Sequence, residues 1–146
     1  MKVSHALLAL AAVGAAQLVQ NERHQRQQNH VALARIHQDY LTRLTSEPEL
    51  AKLWVPDDLE VEEYMKLLHC NQQMSALSLR NRLGLMGKGQ LRFYASYMMD
   101  REIGRRYWDR FGSGREEEGA DRADRRFNAA MRDAHTARPE TAPAGL

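Results

Sequence analysis

An all-α fold is predicted by three features of this 146-residue chain. Apolar residues recur at steps of three and four in successive segments, the spacing that gathers side chains on one face of a helix. Helix-start and helix-stop residues punctuate those segments, among them Pro48, Asp57, Asp58, Gly84 and Asp100. Between Gln20 and Thr45 there is neither proline nor glycine, so a helix begun at the N-terminus can continue far into the chain. The expected architecture is an apolar N-terminal helix over 1–20 that continues as a stalk helix over 21–45. A helical core over 46–112, a small bundle of about four helices, follows. A peripheral charged helix over 113–138 and a disordered tail over 139–146 complete the chain.

Val3 to Val19 reads VSHALLALAAVGAAQLV, seventeen residues without formal charge, flanked by Lys2 and by Arg23 and Arg26. As a helix it is about 25 Å long, just short of the ~30 Å of hydrocarbon in a bilayer. Three readings fit it: a membrane anchor, a cleaved secretory signal with Gly14, Ala15 and Ala16 near the cleavage point, and a soluble helix buried in a bundle or dimer. The anchor is the working expectation, because no helix-breaking polar region precedes the possible cleavage point. It places the chain in the cell membrane as a single-pass protein, with lipid as a partner. Arg23 and Arg26 then set the C-terminal domain on the cytoplasmic side.

The next segment, QNERHQRQQNH, is polar on every face and reads as a solvated stalk. His24, His30 and His37 lie along it, but His30 and His37 are two turns, about 10.5 Å, apart and too distant to share one ion. From Val31 an apolar stripe of Leu33, Ile36, Tyr40 and Leu44 predicts a side buried against the domain. Ser46, Pro48 and Glu49 have the pattern of a capped helix start for SEPELAKLW, ended by Val55 and Pro56, with Trp54 closing the core. Asp57 or Asp58 caps the following helix. Its acidic start at Glu60, Glu62 and Glu63, and its basic end at Arg80 and Arg82, both suit the helix dipole, and Gly84 is placed as the left-handed residue after it. Val61, Met65, Leu68, Gln72, Ala76, Leu79 and Leu83 form a seam of coiled-coil spacing. Gln72 either fixes the register of that seam or turns outward into water, and the second is the simpler reading.

The summed charge is +2, yet residues 71–112 alone carry +5. This stretch predicts a tight connection over 85–89, a helix over 90–99 with Leu91, Tyr94, Ala95 and Met98 inward, and a last core helix capped by Asp100. That helix contributes Ile103, Tyr107, Trp108 and Phe111 to the core. GLMGKG lacks the spacing, the hydroxyl and the strand of a phosphate-binding loop. Arg92, Arg101, Arg105, Arg106 and Arg110 project from the remaining faces as candidate interaction residues. They can pair with Glu60 to Glu63, attract anionic lipid, or bind nucleic acid. Nucleic acid ranks last, because the helix that would enter a groove presents Phe93, Tyr94, Tyr97 and Met98. Gly112, Ser113 and Gly114 are expected to break the chain, after which only Phe127, Ala130 and Met131 are available for burial.

The run NQQMSALSLRNRLGL, followed by GQLRFYASYM and GRRYWDRFG, resembles a family of small actinobacterial proteins known chiefly from streptomycete genomes and described only as a domain of unknown function. The resemblance implies a membrane-associated helical protein and brings no catalytic residues. No metal or cofactor is expected. Cys70 is alone and forms no intramolecular disulfide, and His69 beside it points about 100° away on a helix. The expected function is therefore a membrane-tethered helical adaptor or regulatory module that associates with another protein or with its own copies, without catalysis. A soluble DNA-binding regulator and an enzyme of unrecognised type are the alternatives.

Overall fold

The computed structural model describes residues 2–137, so the tail expected over 139–146 lies outside the described residues. The described residues form six helices, α1 (Lys2–Ser46), α2 (Pro48–Ala51), α3 (Val61–Arg82), α4 (Lys88–Met99), α5 (Glu102–Glu118) and α6 (Arg122–Ala137), and no strand. α1 is unbroken for 45 residues, which at 1.5 Å per residue is about 67 Å. The large apolar side chains of its first half, Val3 to Val19, are exposed. Its second half lies along α3 in the opposite direction, with Thr45 near Met65 and Val31 near Leu83.

α3 is the centre of the bundle because it is covered on two sides. Leu67, Cys70, Met74 and Leu77 are buried toward α5 and α6 together with Leu91, Met98, Met99, Tyr107, Trp108, Phe127 and Met131. At 100° per residue the seam of Leu68, Gln72, Leu79 and Leu83 lies on nearly the opposite face of α3. That seam meets α1, which leaves Leu68, Leu79 and Leu83 half-buried. Gln72 is not turned into water. Its Nε2 donates to Thr42 Oγ1 at 2.8 Å, and its backbone oxygen accepts from Gln38 Nε2 at 3.1 Å. These bonds fix the level at which α1 and α3 meet.

Several expectations are corrected. The stripe Leu33, Ile36, Tyr40 and Leu44 does not become a buried side: only Leu44 is buried. α1 packs instead through Ala34, Gln38, Leu41 and Thr45, a face turned away from Leu33 and Ile36, and Leu44 joins that face at the C-terminal end. Trp54 is 60% exposed rather than core. The reason is local: α2 stops after one turn, the completely buried Ala51 fills the closure, and the chain swings outward through residues 52–54. Ser46 does not cap α2, since its hydroxyl donates back to Thr42 O at 2.7 Å and closes the end of α1. Neither Asp57, Asp58 nor Asp100 occupies an N-cap; Glu60 and Arg101 hold those positions.

The end of α3 is as expected. Gly84 has φ +72°, Gly84 N–H donates to Asn81 O at 3.1 Å and Leu85 N–H to Arg80 O at 3.0 Å. This is the double bond pattern of a helix closed by a left-handed glycine. The glycines after Phe111 do not break the chain, because α5 continues through them to Glu118. Gly112 is buried against Trp108, where an added Cβ would stand 2.8 Å from the indole ring. Nor is α6 peripheral. It packs on α3, α4 and α5, with Phe127 and Met131 fully buried, and Asp121 accepts from Asp124 N–H at 3.0 Å to cap its start.

Candidate interaction surface

α4 is amphipathic: Leu91, Ala95, Met98 and Met99 face the core, while Arg92, Phe93, Ser96 and Tyr97 face out. Phe93 is 64% exposed and Tyr97 46%. Phe93 meets Tyr94 edge-on with ring centroids 5.4 Å apart. The Arg101 guanidinium lies 3.6 Å above the Tyr97 ring, and its Nη1 donates to Tyr97 O at 2.9 Å. A cation stacked on an exposed ring stiffens both side chains. Arg92 is also exposed beside them. Aromatic side chains held this way, rimmed by guanidinium groups, have the composition of protein-binding hot spots.

The five candidate arginines therefore separate. Arg105 Nη1 donates to Met99 O at 2.8 Å and closes the carbonyl end of α4. Arg106 approaches Glu63 at 2.6 Å. Arg110 grips Asp58 with two bonds of 2.8 and 2.6 Å. The hydrogen bond from Arg110 is the main reason that the Asp58 carboxyl sits below its ordinary range. Arg106 and Arg110 thus bind α5 to the start of α3 and to the turn before it, which is the intramolecular pairing that the acidic stretch offered. Arg92 and Arg101 are left on the outer surface of α4.

The remaining polar contacts tie helices together. Tyr107 Oη donates to Asn71 Oδ1 at 2.6 Å, and Arg115 donates to Tyr107 Oη at 2.9 Å, to Asn71 Oδ1 at 3.2 Å and to Ser75 Oγ at 3.1 Å. Burial pushes the Tyr107 phenol above its ordinary value. Arg82 bonds both Asp121 and Asp124, anchoring the start of α6 to the end of α3. Asn81 and Asn128, both buried, donate to Ala123 O at 3.0 Å and Arg115 O at 2.9 Å. Sequence reasoning missed these contacts, although Asp121 with Asp124 three residues on is a legible start for a helix. Burial pushes the Cys70 thiol up to about 11, so it is a protonated thiol at neutral pH.

A different surface lies on the N-terminal part of α1. An 18-residue window near the N-terminus of α1 has a mean hydropathy of 1.5, is long and apolar enough to cross a membrane, and is 0% buried. Val3, Leu7, Leu8, Leu10, Val13, Leu18 and Val19 are all exposed, so the chain's own bundle does not cover this helix. No curated protein and no solved structure matches the chain. A family model does, over residues 1–145, so the chain belongs to the family of unknown function DUF6082.

Proposed function

We propose that this protein is a membrane-tethered helical adaptor that acts by protein–protein association. The observation that carries the reading is the run of large apolar side chains from Val3 to Val19, exposed on every side of a helix that continues without a break into a packed bundle. Water opposes such a surface and hydrocarbon removes the opposition. In this reading residues 3–19 sit in the cell membrane, Arg23 and Arg26 hold the following stalk on the cytoplasmic side, and α3–α6 stand clear of the bilayer. An actinobacterial origin belongs to the same proposal and rests on the motif resemblance.

The bundle offers the outer face of α4, with Phe93, Tyr97, Arg92 and Arg101, to a protein partner. We assign it no reaction, since the nucleophile-like Cys70 is buried and held as a thiol. Nucleic acid is the weaker alternative, because Arg82, Arg106, Arg110 and Arg115 already have partners within the chain. Flotation tests the tether. The full-length chain is expected to rise with lipid vesicles through a density gradient, and the Leu7→Asp, Leu10→Asp variant is expected to stay at the bottom. A full-length chain that stays at the bottom would end the reading.

A further inference from the structure

The half of α1 that lies beyond the apolar segment carries a second stripe of exposed large side chains. Leu33 and Ile36 are each 67% exposed and Tyr40 41%. At 100° per residue these three fall within about 60° of one another, roughly 140° from the face of Ala34, Gln38, Leu41 and Thr45 that packs on α3. The bundle leaves Leu33 and Ile36 open, while Tyr40 is partly covered and lies beside Tyr64 of α3. The bilayer cannot cover them either, since Leu33 lies fourteen residues beyond Val19, about 21 Å further along the helix, and Tyr40 about 31 Å.

The same line continues toward the N-terminus. Leu7, Ala11, Gly14 and Leu18 lie on it, then Glu22, Gln25 and Asn29, then Leu33, Ile36 and Tyr40. The positions recur at eleven residues, as Leu7, Leu18, Asn29 and Tyr40 show. Eleven residues in three turns is 3.67 per turn, so the stripe drifts by only about 20° per repeat, in the sense of a shallow right-handed supercoil. It has an apolar upper part, a polar middle and an apolar lower part.

We infer that this stripe is where a second copy of the chain packs, α1 against α1, parallel and in register. The inference rests on the tether for its alignment: two copies inserted the same way present the same levels to each other, so apolar meets apolar and polar meets polar. An unrelated partner would have to reproduce that three-part pattern, whereas a second copy carries it already. A two-fold contact of this kind is self-complementary. Ten positions on each helix, over about 50 Å, give a contact on the order of the 800 Å² per partner that stable interfaces bury. Gln25 Nε2 donates to Asn29 Oδ1 at 3.3 Å within one chain, which leaves Gln25 Oε1 and Asn29 Nδ2 to bond across the pair. Polar side chains within an apolar seam fix register and the number of strands. Glu22 pairs with Arg26 of its own chain, which weakens the repulsion of like charges at that level. The outer face of α4 takes no part and stays open.

Cysteine cross-linking of the full-length chain in isolated membranes tests this. Single cysteines are placed at Asn29, Leu33, Ile36 and Tyr40 on the stripe, and at His30 and Arg35 as exposed positions off it. The native chain, whose Cys70 is buried, is the blank. Oxidation is expected to give disulfide-linked homodimer at the four stripe positions at least fivefold above the two controls. Adding Leu33→Ser and Ile36→Ser, both at exposed sites, is expected to cut the yield at Tyr40→Cys at least fivefold. Equal yields at all six positions, no dimer, or adducts of another mass at the stripe would each overturn the inference. Alkaline extraction of the same membranes separates the two readings. A chain that stays in the pellet without stripe dimers keeps the tether and loses the pairing. A chain that is extracted yet cross-links Asn29 to Asn29 and Tyr40 to Tyr40 loses the tether and keeps a parallel pair.

Discussion

Phe127→Ala is expected to be among the most destabilising single substitutions in the bundle, although Phe127 lies in a segment dominated by charge. The phenyl ring has no exposed surface and sits among the core residues contributed by α3, α4 and α5. Removing a ring of about 175 Å² from such a site costs roughly 4 kcal/mol at about 25 cal/mol per Å². Measured costs of about 3–5 kcal/mol for buried Phe→Ala changes agree. Against a total stability of roughly 5–15 kcal/mol for a small domain, this is a large fraction. With a urea slope of about 2 kcal/mol per molar, the unfolding midpoint should fall by about 2 M. The assay is fluorescence of the full-length chain in mild detergent. Trp108 is buried and reports unfolding, and Trp54→Phe removes the signal of the exposed tryptophan. Phe93→Ala is the control, the same chemical change at an exposed site, and should cost under about 0.5 kcal/mol. Equal midpoint shifts for the two variants, or a shift under about 0.5 M for Phe127→Ala, would show that α6 is not part of the core.

Gly84→Ala should cost about 1–2 kcal/mol in the same assay, because φ +72° disfavours any side chain even though the space around Gly84 is open. Acid should weaken the bundle through Asp58 and Asp121, whose carboxyls sit below the ordinary range mainly through hydrogen bonds from Arg110 and Arg82. With folded values below unfolded ones, their stabilisation is full above the ordinary aspartate range near pH 4 and is lost as pH falls through the folded values. Urea midpoints measured at about pH 7, 5 and 3 should show that loss, and the Asp58→Asn, Asp121→Asn variant should lose less. Cys70, buried and with its thiol pushed up to about 11, should resist a maleimide in the native chain and react at once in denaturant. Native reaction at the rate of a free thiol would contradict the packing of α3.

The parts of this fold that were legible in the sequence are those where one local signal decides. A segment free of proline and glycine became the unbroken α1, and a glycine after a basic helix end became the left-handed close of α3. What misled was periodicity in helices with two faces. α3 has apolar stripes on opposite sides, and the seam through Leu68 and Leu79 was found, as was the burial of Cys70, while Leu67, Met74 and Leu77, which share the face of Cys70 toward α5 and α6, were not. In α1 the upper part of the regular stripe, Leu33 and Ile36, points away from the bundle, and a less apolar face containing Gln38 packs instead. Trp54 was misplaced because hydrophobicity alone does not say where a one-turn helix ends. At the candidate surface, the arginines were visible but their partners were not: Asp58 lies 52 residues from Arg110 and Glu63 lies 43 residues from Arg106, separations that only the folded bundle closes.

The central claim is that Val3 to Val19 lies in a membrane. Its most direct test is alkaline carbonate extraction of membranes from cells making the chain with its native N-terminus and a tag at the C-terminus. The account predicts full-length chain in the washed pellet, and loss of that pellet fraction in the Leu7→Asp, Leu10→Asp variant. Full-length chain in the soluble fraction would contradict it, as would a soluble product shortened at the N-terminus, which would make the apolar segment a cleaved signal.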